Sequence, residues 1–159
     1  MVKERKITEE ILVFNRSVKA TELNLISKEY HFKTIVANKI IIDEDLNIEC
    51  NLYVLGEILR KHSFSEYDIN INGDLICYGD VHCNNIKVMG IFISEGMIYS
   101  KNISVGEDFL CYDKVNSFGH DIAVAGDIEV LAIKAESIIT MSDIIVYESI
   151  SAKNVRTGY

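Results

Sequence analysis

Apolar and polar residues alternate along most of this chain, and the alternation recurs at a fixed distance. The segment Ile69-Asn-Ile-Asn-Gly73 returns as Ile86-Lys-Val-Met-Gly90 and again from Ile103, so the three copies start at equally spaced positions. A two-residue period within each copy places every second side chain on one face, as in a half-buried β-strand. A fixed repeat of about 17 residues is typical of a solenoid, in which each unit stacks on its neighbours. The pattern therefore predicts stacked coils built from short strands.

Aligning the repeats produces columns of equivalent apolar residues. The large columns are Leu52, Ile69, Ile86, Ile103, Ile122, Ile138 and Val155; Val54, Ile71, Val88, Val105, Val124 and Thr140; Ile58, Leu75, Phe92, Phe109, Ile128 and Ile144; and Phe64, Val81, Ile98, Val115, Ile133 and Ile150. The small columns are Cys77, Ser94, Cys111, Val130 and Val146, and Cys83, Ser100, Ser117, Ala135 and Ala152. A shorter unit begins at Ile40. Large and small columns alternate, as dense packing of a narrow core requires.

Polar residues close each unit and predict its corners. Asn and Asp tolerate left-handed backbone and bond nearby amides, so they suit tight turns. The unit ends are Asn51, Asp68, Asn85, Asn102, Asp121, Ser137 and Asn154. The pairs Gly73-Asp74 and Gly126-Asp127 mark a second corner. A calcium-binding array would need acidic residues at a denser, fixed spacing, so that alternative is disfavoured.

The predicted fold is an all-β, single-stranded parallel β-helix of about seven coils over residues 35–159. At a strand spacing of about 4.8 Å, the rod is on the order of 34 Å long. Residues 1–34 lack the repeat and are interpreted as a cap at one end or as a segment covering the solenoid. Within them, the stretch from Ile7 to Phe14 suits a short helix, with Thr8 as its N-cap, or a strand. Leu23 to Ile26 and Tyr30 to Phe32 alternate like strands.

The phrase Ile-x-Ala/Cys/Ser-x-Asn-Ile-x-Val-x-Gly, repeated from Ile35 to Val155 without long loops, resembles the bactofilins, the polymer-forming β-helix proteins of the bacterial cytoskeleton. The repeat length leaves the handedness of the helix open, and the resemblance implies a right-handed one. It also implies end-to-end assembly into filaments without a nucleotide. The chain departs from the family in having fewer Gly-x-x-Gly corners and in carrying an unrepeated N-terminal segment. The second departure argues against symmetrical polymerisation.

Charge and composition limit the classes of partner and the cellular location that we expect for this chain. The net charge of −8 argues against nucleic acid, whose phosphates require clustered Lys and Arg, and against an anionic membrane surface. The chain has no apolar run of about 18 residues and no signal-peptide core, so we expect a cytoplasmic protein. The four cysteines lack metal-site spacing and are expected to be free thiols, with Cys77, Cys83 and Cys111 facing inward. No proline interrupts the strands.

Catalysis is the least favoured interpretation. Hexapeptide acyltransferases are also β-helical and use a histidine base, for which His62, His82 and His120 are the candidates. His120 lies in the unit that carries two extra residues, so the repeat pattern accounts for its position less well than for those of the other two histidines. His62 and His82 share no carboxylate pattern, and no extended loop is expected that would exclude water from a site. We therefore expect no enzyme, no catalytic residues, no metal and no cofactor.

Outward positions of the repeat form an apolar stripe that is longer than scattered exposed residues would give. Its aliphatic row is Leu59, Ile76, Ile93, Leu110 and Ile145, interrupted by Glu129; its second row is Tyr78, Tyr112, Leu131 and Tyr147. Two interpretations stay open: residues 1–34 cover the stripe, or it contacts another subunit or a protein partner. The stripe supports the alternative function of a non-polymerising adaptor module.

The ends of the solenoid suggest self-assembly. A terminal coil leaves unpaired backbone groups, and solenoids normally cover them with polar caps. Only a short tail follows Ala152, whereas a long non-repeat segment precedes the first unit. Ile150, Ala152 and Val155 are therefore predicted to form an assembly end. The expected product is a head-to-head homodimer, or a filament if the N-terminal segment is displaced.

Overall fold

The computed structural model describes residues 5–8, 11–62 and 66–158, with side chains from residue 11 onward. It contains one helix among many short strands in this part of the chain. In chain order the elements are β1 (Arg5–Thr8), β2 (Ile11–Lys19), α1 (Ala20–Glu29), β3 (Thr34–Ile42), β4 (Leu46–Ile48), β5 (Asn51–Val54), β6 (Ile58–Arg60), β7 (Ile69–Ile71), β8 (Leu75–Cys77), β9 (Val81–His82), β10 (Ile86–Val88), β11 (Phe92–Ser94), β12 (Ile98–Tyr99), β13 (Ile103–Val105), β14 (Phe109–Asn116), β15 (Asp121–Val124), β16 (Ile128–Lys134), β17 (Ser137–Thr140), β18 (Ile144–Ser151) and β19 (Asn154–Arg156).

From β3 onward, the described strands wind into about seven coils of a parallel β-helix, as the repeat predicts. Each coil contributes to three faces, because the chain turns at three corners. Face A stacks β4, β7, β10, β13, β15, β17 and β19 in that order. Face B stacks the first part of β3, then β5, β8, β11 and the first parts of β14, β16 and β18. Face C stacks the last part of β3, then β6, β9, β12 and the last parts of β14, β16 and β18.

The predicted register is confirmed from Ile69 to Val155. On face A, Ile86 pairs with Ile69 on one side and Ile103 on the other, and the same column continues to Val155. Val88 and Phe92 point inward and are 1% and 0% exposed. Burying an aliphatic or aromatic side chain of this size contributes about 1.5–3 kcal/mol. The stacked columns therefore form one continuous core inside the coils.

The predicted register is wrong for the coils before Ile69. Leu52 pairs with Leu75 and Val54 with Cys77, so both lie on face B instead of face A. Ile58 pairs with Val81 and belongs to face C, as does Ile40. In the coil before it, Ile69 pairs with Leu46. Phe64, predicted to share the Val81 column, lies outside the described residues.

The cause of this error is an insertion between β6 and β7. Equivalent positions in the coils of β4 and β7, such as Asp45 and Asp68, differ by 23 in sequence number, whereas Asp68 and Asn85 differ by 17. The longer coil arises because the connection from Arg60 to Ile69 is longer than in the coils that follow. By coincidence, Leu52 lies one ordinary repeat before Ile69 but begins a different strand. A period alone does not distinguish two strands of one coil when both begin with a large aliphatic residue.

Polar side chains stabilise the corners by bonding from coil to coil. Before face A, the Oδ1 atoms of Asp45, Asp68, Asn85 and Asn102 each accept the backbone N–H of the corner residue in the next coil, ending at Asp121. The four N–O distances are 2.8, 3.0, 3.1 and 3.1 Å. These bonds satisfy amides that the turns would otherwise leave unpaired.

The N-terminal region differs from the local predictions. Thr8 ends strand β1 and is not a helix N-cap, and β1 pairs antiparallel with β2. Leu23 to Ile26 lies inside α1 and is not a strand, while Tyr30 to Phe32 forms a connection. Leu23 and Ile26 are buried, which is helical spacing. Leu23, Asn24 and Leu25 alternate in polarity like a strand, but in α1 the polar Asn24 is buried and the apolar Leu25 is exposed. The alternation therefore does not report which of these side chains face the core.

Candidate functional site

The C-terminal coil exposes residues that are core residues in the coil beneath it. Ile150 is 45% exposed, whereas its partner Ile133 is 2% exposed. Val155 is 49% exposed, whereas its partner Ile138 is fully buried. Ala152, in the small column above buried Ala135, is partly exposed. The three residues predicted as the assembly end therefore lie together on an open end of the core.

Backbone groups are open at the same end. In the described residues, β18 pairs only with β16, and β19 pairs only with β17. Both are edge strands, and β18 runs for eight residues around the corner between faces B and C. The outer side of these strands presents unpaired N–H and C=O groups, which are able to hydrogen-bond a strand from another chain.

The N-terminal end is closed by contrast. Leu12 and Phe14 of β2 are fully buried, and β1 covers the edge of β2 by antiparallel pairing. On face A, α1 takes the place of a strand beside β4. Asn24 Oδ1 accepts the Asn47 N–H at 2.7 Å, and its Nδ2 donates to Asp45 O at 2.6 Å. The Ser27 hydroxyl accepts the Glu49 N–H at 3.1 Å. Side chains of α1 thus satisfy the Asn47 N–H of β4 and one backbone group on each side of that strand.

The apolar stripe lies on the outer side of face B. Ile76, Ile93, Leu110, Glu129 and Ile145 follow one another in register across five coils. Tyr78, Tyr112 and Tyr147 lie two positions further along their coils and are 49%, 57% and 64% exposed. The structure therefore brings together all but one of the residues predicted for the stripe.

Leu59 is the exception. It follows Ile58 on β6, which pairs with Val81, so Leu59 lies on face C among His82 and Tyr99. The error has the same origin as the register error before Ile69. The residues that extend the stripe in this coil are Tyr53, which pairs with Ile76, and Leu55, which is 55% exposed. Neither belongs to the predicted stripe, although correct placement of the insertion after Arg60 would have identified both.

Residues 11–34 do not cover the stripe. β2 extends the edge of face B beside β3, and the helix α1 contacts β4, β2 and β3. Tyr78, Tyr112, Ile145 and Tyr147 remain exposed in the presence of these elements. The interpretation that the N-terminal segment buries the stripe is therefore wrong for the described part of that segment.

The histidines lie at separate places. His62 follows β6 and is exposed. His82 lies on face C with its ring centroid 4.7 Å from that of Tyr99, and partial burial lowers its pKa. His120 closes the insertion turn, where its N–H donates to the Ser117 carbonyl oxygen and its own carbonyl oxygen accepts the Ser117 hydroxyl. Leu59, Arg60, His82, Tyr99 and Phe118 border an open hollow of about 350 Å³.

Neither a metal cluster nor a membrane helix accompanies these surfaces in the described part of the chain. Within residues 5–8, 11–62 and 66–158, no three His, Cys, Asp or Glu side chains come close enough to hold a metal ion. Over the same ranges, no helix is long and apolar enough to cross a membrane. Comparisons with protein families, curated proteins and solved structures found no match.

Three of the cysteines are buried in the core columns, as predicted. Desolvation raises the pKa of Cys77 to about 12 and that of Cys111 to about 11. Burial also raises the pKa of Cys83. The thiols of Cys77 and Cys111 both donate to the carbonyl oxygens of corner glycines. Cys50 is only half-buried, although desolvation still raises its pKa to about 11.

In the native protein at pH 8, we expect little reaction of Cys77, Cys83 and Cys111 with a disulfide reagent that labels free thiols. The thiolate is the reactive form, and raised pKa values keep it scarce while burial blocks access. The measurement is reagent uptake by a Cys50→Ser variant, before and after denaturation. Uptake should rise from none to three thiols on unfolding. Rapid native labelling of two or more thiols would place these columns outside the core.

Proposed function

We propose that this chain is a structural, self-assembling β-helix protein of the bactofilin type, and that it associates through its C-terminal coil. The observation that carries the proposal is the exposure of core-column residues at that end. Ile150 and Val155 continue columns that are buried in the preceding coil. Exposed apolar surface that is continuous with a core is typical of a surface that another protein covers.

A second copy is the occupant that this end suits best. It offers β18 as a long edge strand next to exposed aliphatic side chains, so a partner can both pair its backbone and extend its core. Two copies meeting at this end would place β18 of each beside the other, since antiparallel pairing of identical edges is compatible with a two-fold axis. The contact would then be head to head.

The closed N-terminal end favours this arrangement over continuous stacking. Head-to-tail growth would require β2, β4 and their neighbours to accept the last coil of another copy. Antiparallel β1 and the helix α1 occupy those positions. A filament of the bactofilin type would therefore require displacement of these two elements, whereas a head-to-head dimer does not.

The test of the proposal is a charge placed at the open end. We expect wild-type protein to sediment as a dimer or larger assembly, and Ile150→Arg or Val155→Arg to sediment as monomer. Burial of an unpaired guanidinium against the partner's core costs several kcal/mol. Analytical ultracentrifugation across concentration measures the change, and negative-stain microscopy distinguishes dimers from filaments.

Ile139→Arg is the matched control. Ile139 is 41% exposed on the outer side of face A, one residue from buried Ile138. The substitution therefore introduces the same charge near the C-terminal coil but outside the proposed contact surface. We expect this variant to assemble like the wild type. A wild type that is monomeric at high concentration, or an assembly that survives both end substitutions, would exclude the C-terminal coil as the contact.

A further inference from the structure

The outer side of face B carries nearly the same residue types in both directions along the solenoid axis. Its central coil carries Ile93 and, two positions later, Glu95. On either side of it, the corresponding pairs are Ile76 with Tyr78 and Leu110 with Tyr112. One coil further out, Leu55 follows Val54, which pairs with Cys77, and Leu131 follows Val130, which pairs with Cys111. Because β14 carries one extra residue at this corner, Leu131 lies opposite both Tyr112 and Asp113. The row containing Glu95 therefore runs Leu55, Tyr78, Glu95, Tyr112 and Leu131, which is a palindrome of residue types.

The remaining pair is complementary instead of identical. Tyr53 and Glu129 occupy the two outer coils in the row of Ile93. Glu129 accepts a hydrogen bond from the Tyr147 hydroxyl in its own chain, which shows that the carboxylate is within reach of phenol donors on this face. A carboxylate has several acceptor positions, so it is able to accept a second phenol. A phenol of a second chain lying over Glu129 would therefore find an acceptor.

We propose that face B binds face B of a second copy of this chain, with the two solenoid axes antiparallel. The two-fold axis of this dimer runs parallel to the strands and passes between the central coils of the two copies. Such an axis keeps each row opposite itself and reverses the order of the coils. Ile76 then meets the partner subunit's Leu110, and Tyr53 meets the partner subunit's Glu129. An interface that is self-complementary in this way is what a two-fold dimer requires. Sheets that pack face to face commonly keep their strand directions within about 30° of each other, which is compatible with this arrangement.

The contact should be weak and reversible. The contact spans five coils spaced about 4.8 Å apart, and each coil contributes two outward side chains. The surface area buried is therefore on the order of 400 Å² per copy. The total falls below the roughly 1,200 Å² of a standard stable interface. Glu95 lies at the centre and faces its own copy across the axis, which opposes association because like charges repel. The dimer is therefore expected only at high protein concentration.

A charge exchange tests the antiparallel register. The experiment uses the Val155→Arg background, in which the proposed end contact is blocked, so failure of the end proposal does not affect the result. We expect Ile76→Arg alone, and Leu110→Glu alone, to weaken self-association at least about tenfold, because each places a charge against an apolar side chain. An equimolar mixture of the two variants should associate again, since the heterodimer pairs the new charges with each other.

Two controls make the outcome decisive. Both positions are half-buried on the outer side, so each variant should keep the circular dichroism spectrum and melting temperature of its parent. Glu95→Gln should strengthen the dimer, because it removes the repulsion at the axis. Sedimentation equilibrium up to about 1 mM protein covers the weakest specific association expected of such a surface. A monomeric parent at that concentration, or single variants that weaken association without rescue in the mixture, would overturn the proposal.

Discussion

Val88→Asp is expected to unfold the central coils. Val88 is 1% exposed and lies between Ile71 and Val105 in a column of aliphatic residues. No positively charged side chain is buried in the described part of the chain, so a carboxylate at this position would lack a partner. Its burial should therefore cost at least about 4 kcal/mol. Domains of this kind have a total stability of about 5–15 kcal/mol, so most of it would be lost. Denaturant unfolding followed by circular dichroism measures the loss.

The adjacent residue provides the matched control. Lys87 is exposed on the same strand, beside Asn70 and Ser104 of the neighbouring coils. Lys87→Asp introduces the same side chain one position away but leaves it in water, so the free energy of unfolding should change by no more than about 0.5 kcal/mol. If Val88→Asp kept the wild-type melting temperature, the inward register of face A would be wrong.

Gly96→Ala is expected to destabilise the protein by about 3 kcal/mol, because the coils touch through their backbones at this corner. A Cβ atom at Gly96 would lie 2.6 Å from the amide nitrogen of Asp80 and closer still to the carbonyl group of Gly79. Both contacts are with main chain in the coil beneath, so no side-chain rotation relieves them. The free energy of unfolding from denaturant titration is the measurement.

Gly119→Ala separates this steric effect from loss of glycine flexibility. Gly119 has φ of +77° in the insertion turn, and a Cβ there would meet nothing within 4 Å. The expected cost is only about 1–2 kcal/mol, from the left-handed backbone. Equal effects of the two substitutions would mean that the close approach between coils at Gly96 is not what requires a glycine there.

The candidate surfaces were only partly predictable. Ile150, Ala152 and Val155 could be assigned to the end because they continue columns whose register is maintained from Ile69 onward. The palindrome on face B could not be found from the sequence, because Tyr53 and Leu55 enter the stripe only when the insertion after Arg60 is placed correctly. One coil contains 23 residues and the next contains 17. A fixed sequence offset therefore does not identify which residues of different coils are neighbours.

The sequence by itself determined the parallel β-helix, its inward columns and most of its corners. The reason is that alternation within a strand and repetition between coils are both local patterns, and each repeat gives the same information again. Only the tertiary structure decided how the first coils are built. There, burial of Leu23 and Ile26 against the solenoid and the bonds from Asn24 and Ser27 to β4 and its flanking turn favour a helix where alternation suggested a strand. Those bonds join residues that are far apart in sequence, so no local pattern encodes them.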